Sequence, residues 1–547
     1  MSKRLYAIIL MLLLPLWVFT GCGGASDTSF TTTDGSVDSA PVVSPPVTPA
    51  SVSLEMIDDE NFNSLSEDDK VYVAKKLYST IYKGLDYSTL LSEVNGTGFI
   101  SQFQSKLTAN VTQPDLGTCE SYIPYDESMK THRSFADVTD AYAGNIKQEI
   151  LSRLYCTNLG RKYLNEWIAY VLTQTILFSP AREVDSVTWF PEFIRNVYYR
   201  LVEGLDAGKS IKEIAYNHMI STENWGRFRS PEDNGREMLE IWLKNYEDEP
   251  VSIAAKALQN WSFDNYYSPE LGEDAYTFNH DAPGDTIDEP VELFGKTLSN
   301  GYDFFKMVVE HPDFMPTVVS RVVDYFFPTL PEAERASIVE KIMEEEPTTF
   351  QELFAQILFS KKYLFESDKV KSLEEVFYHL VESLPYHVIK NSWGSGWASN
   401  IKGLSAAMDK ANQRSMWNKL GRDNDLPTDT LSINYYHQYV RDGILLAQCD
   451  NPESEFQEGI VLRWFDERLD TNGSVENYLD GIFLEVLGRH MKDSERETLA
   501  GIVRAQGWDE RFSDFASNRF KVMKLSLDYI SRLSEVYRYK RIEGGAK

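Results

Sequence analysis

Basic residues are scarce in this sequence. Lysine and arginine number 54 against 83 acidic residues, a formal net charge of −29 over 547 residues. A surface of that sign repels phosphate backbones, which argues against nucleic acid as a partner. Histidine and cysteine are few as well, eight and four. There is no Cys-x-x-Cys-His for haem attachment and no Cys/His ladder with zinc spacing. Gly-x-Ser-x-Gly, His-Glu-x-x-His and Gly-x-x-x-x-Gly-Lys are absent, so no recognised catalytic motif marks the chain as an enzyme. Alternating strand-like runs are rare. No apolar run reaches the ~20 residues that a membrane-spanning helix needs.

The amino terminus supplies the first positive signal. Lys3 and Arg4 precede an apolar stretch from Leu5 to Phe19, the layout of a secretory signal. Phe19-Thr20-Gly21-Cys22 resembles the lipobox of bacterial lipoproteins. The resemblance implies that residues 1–21 are a signal peptide and that Cys22 carries lipid, palmitate among its acyl chains. Several acyl chains anchor a protein stably where one binds marginally. Gly23 stands where an Asp implies retention at the inner membrane, so the resemblance favours the outer membrane of a two-membrane cell.

Residues 22–53 are small, polar and proline-rich. Such a tract buries too little apolar surface to fold and reads as a tether. Beyond it, 42% hydrophobic and 13% aromatic residues overall suffice for a large core. Leu164, Trp167, Ile168, Val171, Leu172 and Ile176 recur at three- and four-residue steps, as do Val376, Phe377, Leu380, Val381 and Leu384. That spacing places each set on one face of a helix. The tail "NRFKVMKLSLDYISRLSEVYRYKR" reads as a further amphipathic helix with basic residues crowding its C-terminal end. The expectation is a mainly α chain, a large multi-helix globular body with a helical part over 54–385 and a helical C-terminal part over 386–547. With Cys22 lipidated, three cysteines remain; three pairings are open and the sequence does not choose among them, Cys119–Cys156 with Cys449 left over being one.

The stretch "SPEDNGREMLEIWLKNYE" from Ser230 resembles the Asn-Glu-Asn-Tyr-Ala-Arg-Glu-Leu-Met-Glu-Leu signature of the bacterial secreted family Domain of Unknown Function 1800. Glu232, Arg236, Glu237 and Glu240 fall on its polar positions. "IAAKALQNWSFD", with Trp261, then Phe278 with His280-Asp281, "LFGKTL", "VVEHPDFMPTVVSRVVDYFF" and "LFSKKYLFESDKVKSLEEVF" follow in the family's order. The series covers Tyr163 to Leu384, and beyond Pro385 the chain departs from the pattern. The resemblance implies a helical secreted protein from a divergent branch. It implies no reaction, because the family's role is not established.

Two clusters are candidate sites. Ser230 caps and Pro231 opens a helix. On it Glu232, Arg236 and Glu240 are spaced for a ladder of ion pairs. Glu237 and Glu240 can instead converge with His280 and Asp281 on a divalent cation or an acid–base task. No metal is assigned and no other cofactor is expected. In "SINYYHQYVRDG", Asn434, Tyr435, Tyr436, His437 and Arg441 offer aromatic faces with polar tips for a sugar or peptide, or else pack as a core helix. "DTNGS" at Asp470 reads as a turn and His311-Pro312 as a helix start. The expected function is that of a lipid-anchored envelope protein that binds or scaffolds an envelope protein or polymer. The alternative is a metal-assisted enzyme acting on an envelope polymer.

Overall fold

Helices begin where the sequence supplies a capping oxygen. The side chains of Ser66, Ser210, Ser230, Thr349, Ser372 and Ser474 each accept the backbone N–H three residues on. At Ser210, Thr349 and Ser372 a glutamate at that third position returns a bond to the cap, so both orphan donors are satisfied. The structure is a computed structural model of the chain. It describes residues 54–113, 139–180, 190, 192–270, 273–384, 433, 437–438, 440–445, 455–510, 512–513 and 516–542.

The described residues belong to one mainly α unit. The helix Arg161–Thr173 lies in the middle of it. Trp167, Ile168, Tyr170, Val171 and Leu172 are all buried there, so apolar contact runs round more of this helix than one stripe. The helix Leu373–Ser383 buries Val376, Phe377, Leu380 and Val381, the face that the spacing predicts. None of the helices among the described residues is long and apolar enough to cross a membrane.

Among the described residues the strands form two antiparallel hairpins, with isolated bridges at Met56–Ser360 and Val370–Arg538. Ser262–Ser268 pairs with Glu273–Asn279, Ser262 opposite Asn279 and Ser268 opposite Glu273. Val291–Leu293 pairs with Lys296–Leu298. The turn between that second pair holds Phe294 at φ 48 and Gly295 at φ 73, the two left-handed positions of a tight hairpin turn.

The C-terminal tail differs from the sequence expectation. Its helix spans Ala516–Ile530 with no basic residue in its last turn. Arg532 and Leu533 turn the chain, their N–H groups bonding the Tyr529 and Ile530 carbonyls. A short helix, Ser534–Tyr537, follows, and then an extended strap. Lys371 N–H donates to Tyr537 O at 2.9 Å, Tyr539 N–H to Lys369 O at 3.1 Å and Ile542 N–H to Phe365 O at 2.9 Å. The basic tail thus serves as a partner for main chain at 365–371 rather than as a helix end. Near the amino terminus, Ile57 N–H donates to Phe359 O at 2.8 Å and Lys361 N–H to Glu55 O at 2.7 Å. The 359–371 segment is therefore held by both ends of the body.

Candidate functional site

The helix Pro231–Leu243 starts as its sequence predicts, with Ser230 accepting the Asp233 N–H at 3.1 Å. Arg236 lies 3.7 Å from Glu232 and 3.0 Å from Asp248. These pairs are exposed and add little to stability. The expected ladder is thus half made: Glu240 acts on Arg236 only through space, and Asp248 of the helix Asp248–Ala257 takes the second place. Gly235 permits the approach, since a Cβ there would stand 3.0 Å from the Ala254 methyl. Burial pushes the Glu237 carboxyl up to about 7; Arg227 opposes this, while Glu240 and Asp233 add to it.

His280 and Asp281 follow the first hairpin and are otherwise engaged. Asp281 is buried, and its two oxygens accept Asn260 Nδ2 at 2.8 Å and Trp261 Nε1 at 3.1 Å. His280 Nδ1 is 2.7 Å from the Asp281 carbonyl and 3.0 Å from the Tyr302 hydroxyl, with its ring against Trp261 and Phe278. This is an aromatic corner tied by one carboxylate. Among the described residues no group of three or more His, Cys, Asp or Glu is arranged to hold a metal ion.

Of the second cluster, Asn434, Tyr435 and Tyr436 lie outside the described residues. His437 is buried and stacks on Tyr537 with ring centroids 4.9 Å apart. Burial pushes its imidazole down to about 3. Arg441 turns to its neighbour Asp442, Nε to Oδ1 2.7 Å. Cys156 is disulfide-bonded; Cys22, Cys119 and Cys449 are outside the described residues.

The structure brings together a third set that sequence reasoning missed. The helix Glu67–Thr80, the helix Leu373–Ser383, the end of the helix Val475–Leu487 and the strap at Glu535–Lys540 enclose a cavity of about 40 Å³. Lys75, Lys76, Lys371, Arg489 and Lys540 line it, against Asp68, Glu375 and Glu535. In a chain with a net charge of −29 this is a reversal of sign.

The cations differ in how they are held. Arg489 is bracketed by carboxylates, with Nη1 and Nη2 each 2.8 Å from Glu495 and Nε 3.0 Å from Glu535. Lys76 donates to the Tyr363, Leu364 and Ser367 carbonyls at 2.6, 3.3 and 2.8 Å. It thereby satisfies the end of the π-helical turn Lys362–Glu366, where carbonyls lack partners. Lys371 donates to the Glu535 and Val536 carbonyls at 2.9 and 3.1 Å. Lys75 donates to the Val486 carbonyl.

None of these three amines touches a carboxylate, and burial disfavours their charged form. It holds Lys75 and Lys76 well below the usual lysine range and brings Lys371 down to about 8, though Glu375 and Glu535 pull the other way. Glu375 is spent on Lys369 at 2.9 Å and on the Ser372 N–H at 2.6 Å.

His379 faces the same cavity with 8% of its surface exposed. The Val486 main chain lies near it, but neither ring nitrogen has a well-formed hydrogen bond. Burial, with Lys75 and Lys371 adding, holds the imidazole neutral. Buried polar groups are nearly always paired, so this one points to something the cavity is built to receive. The wall opposite is Tyr539, whose hydroxyl lies 3.2 Å from Ser79 Oγ and 3.2 Å from Glu375 Oε1. No family model, characterised protein or solved structure matches this chain.

Proposed function

We propose that this protein is a binding component of a bacterial cell envelope, held at a membrane through lipid on Cys22, and that its cavity takes a small anionic group. Its outer-membrane placement and its descent from a divergent branch of Domain of Unknown Function 1800 belong to the same proposal, supported by the residues quoted above. The observation that carries the binding reading is the placing of His379, buried with only the Val486 main chain near its ring, beside amines that touch no carboxylate. An anion entering there restores the missing charge and gives the imidazole a partner. The ligand is small, because a water-sized group occupies ~10–15 Å³ on the same measure and the cavity offers about 40 Å³.

Calorimetric titration of the full chain in detergent with inorganic phosphate and with acetate tests the binding. One of the two binds the wild type, and Lys75→Met weakens it about tenfold, equivalent to ~1.4 kcal/mol. No heat from either anion contradicts the reading. Growth with labelled palmitate tests the anchor: label on the wild type and none on Cys22→Ala is the expected result, and equal labelling or none contradicts it.

A further inference from the structure

We propose that Lys371 is a nucleophilic amine that condenses reversibly with the carbonyl group of a small oxo acid, an anion class suited to this cavity. The proposal rests on the anion-binding reading and adds a covalent step to it.

The lysines of the region sort by the valences they have left. Lys369 is paired with Glu375 at 2.9 Å and is excluded from nucleophilic work. Lys76 is surrounded by three carbonyls, so its nitrogen has no open position toward a ligand. Lys371 spends two, on Glu535 O and Val536 O. A neutral amine has two N–H donors and one lone pair. Those two carbonyls orient the donors, and the remaining position meets no hydrogen-bonding group, with the Tyr539 ring 5.1 Å from the nitrogen on the wall of the cavity. Lys75, on the helix Glu67–Thr80, also lines the cavity, bonds a single carbonyl and suits the carboxylate of the oxo acid. A lysine desolvated beside a second cationic group is the usual setting for an amine nucleophile. At an amine value of about 8 about a tenth of the amine is neutral at pH 7 and about half at pH 8.

The step balances without an oxidant or reductant. The Lys371 lone pair forms a bond to the carbonyl carbon, and the carbonyl π pair moves to oxygen. His379, held neutral by burial, takes a proton from the new ammonium and returns it to the oxygen. His379 then carries the remaining N–H proton to the hydroxyl as the C–O bond breaks, so water leaves and a neutral C=N bond remains. One molecule of water is released for each bond formed.

The probe is glyoxylate, added to the full chain at pH 8 with cyanoborohydride, followed by peptide mass mapping. The expected adduct lies on Lys371. Lys371→Arg, which keeps a cation able to reach the two carbonyls, loses it. His379→Gln slows its formation about tenfold, while background labelling of the exposed Lys296 and Lys341 is unchanged. Inorganic phosphate protects Lys371 and leaves Lys296 unprotected. Label spread over exposed lysines at a rate equal to or above that on Lys371 overturns the proposal. If an anion binds calorimetrically and Lys371 stays unlabelled, the covalent step fails and the binding reading stands; if neither occurs, both fall.

Discussion

The Lys369 ammonium lies 2.9 Å from a carboxylate oxygen of Glu375, and each side chain is 1% exposed. The Tyr325 ring covers the ammonium at 5.0 Å, and Ser372 N–H and Tyr539 hydroxyl complete the carboxylate. This pair sits behind the cavity and fixes the geometry of the 369–375 segment.

Breaking such a pair leaves one buried charge uncompensated, which costs ~3–5 kcal/mol. Lys369→Met and Glu375→Gln each lose about that much stability in urea unfolding. The double variant loses much less than the sum of the two, because no uncompensated charge remains. Additive losses in a double-mutant cycle contradict the assignment.

Glu237 carries a carboxyl raised from its ordinary value to about 7 by burial. Between the unfolded value of 4.5 and 7 the folded state binds more protons than the unfolded chain, so stability falls as pH rises through that window. Glu237→Gln removes the effect and stabilises the protein above pH 7 by about 1 kcal/mol, after allowance for screening at a partly exposed site. Thermal melts of both proteins at pH 5 and pH 8 measure it; a Gln variant less stable at pH 8 would show that the charge is used.

His218, His379 and His437 are buried with imidazoles depressed chiefly by desolvation, His437 to about 3. The unfolded chain takes up protons near 6.5 where the folded chain does not. Their contribution is therefore complete above pH 6.5 and erodes as pH falls, for His437 down to about 3. Stability against urea should decline from pH 6.5 to pH 4, and His437→Gln should flatten the decline. An unchanged slope contradicts the assignment.

Asp281 anchors the aromatic corner. Asp281→Ala leaves the Trp261 indole N–H and the Asn260 amide without their acceptor, a loss of ~1–3 kcal/mol. The metal content of wild type and variant should be identical, since Asp281 serves as a strut. A divalent cation bound by the wild type and lost with Asp281 would restore the ligand role.

Much of the helical frame was legible. The stripes at Leu164–Leu172 and Val376–Val381 and the Ser230-Pro231 start needed only local periodicity and capping chemistry, while Ile176 and Leu384 fall just beyond the ends of their helices. The first hairpin was not, because Asp264, Asn265 and Asp274 mask the strand pattern and the pairing of Phe263 with Phe278 appears only across the turn. The tail helix ended early because main chain at 365–371 supplies the Tyr539 and Ile542 amides with acceptors.

The cavity was the least legible feature. "VYVAKKLYST" reads as a helix with a solvated lysine pair. The carbonyls that hold Lys75 and Lys76 come from Val486 and from Tyr363 and Ser367, far along the chain and without side-chain signature. A lysine pair flanked on both sides by apolar residues was the one available hint.

The central claim is that buried amines of the cavity, which touch carbonyls and no carboxylate, take an anion as their partner. Calorimetric titration of the full chain with inorganic phosphate and, separately, with acetate at pH 8, in two buffers of different ionisation heat, tests it most directly. An anion beside Lys371 raises its amine above about 8, so binding takes up protons and weakens as pH rises further. The account predicts net proton uptake by the wild type, reduced in Lys371→Met; binding with no proton uptake, or no binding at all, would contradict it.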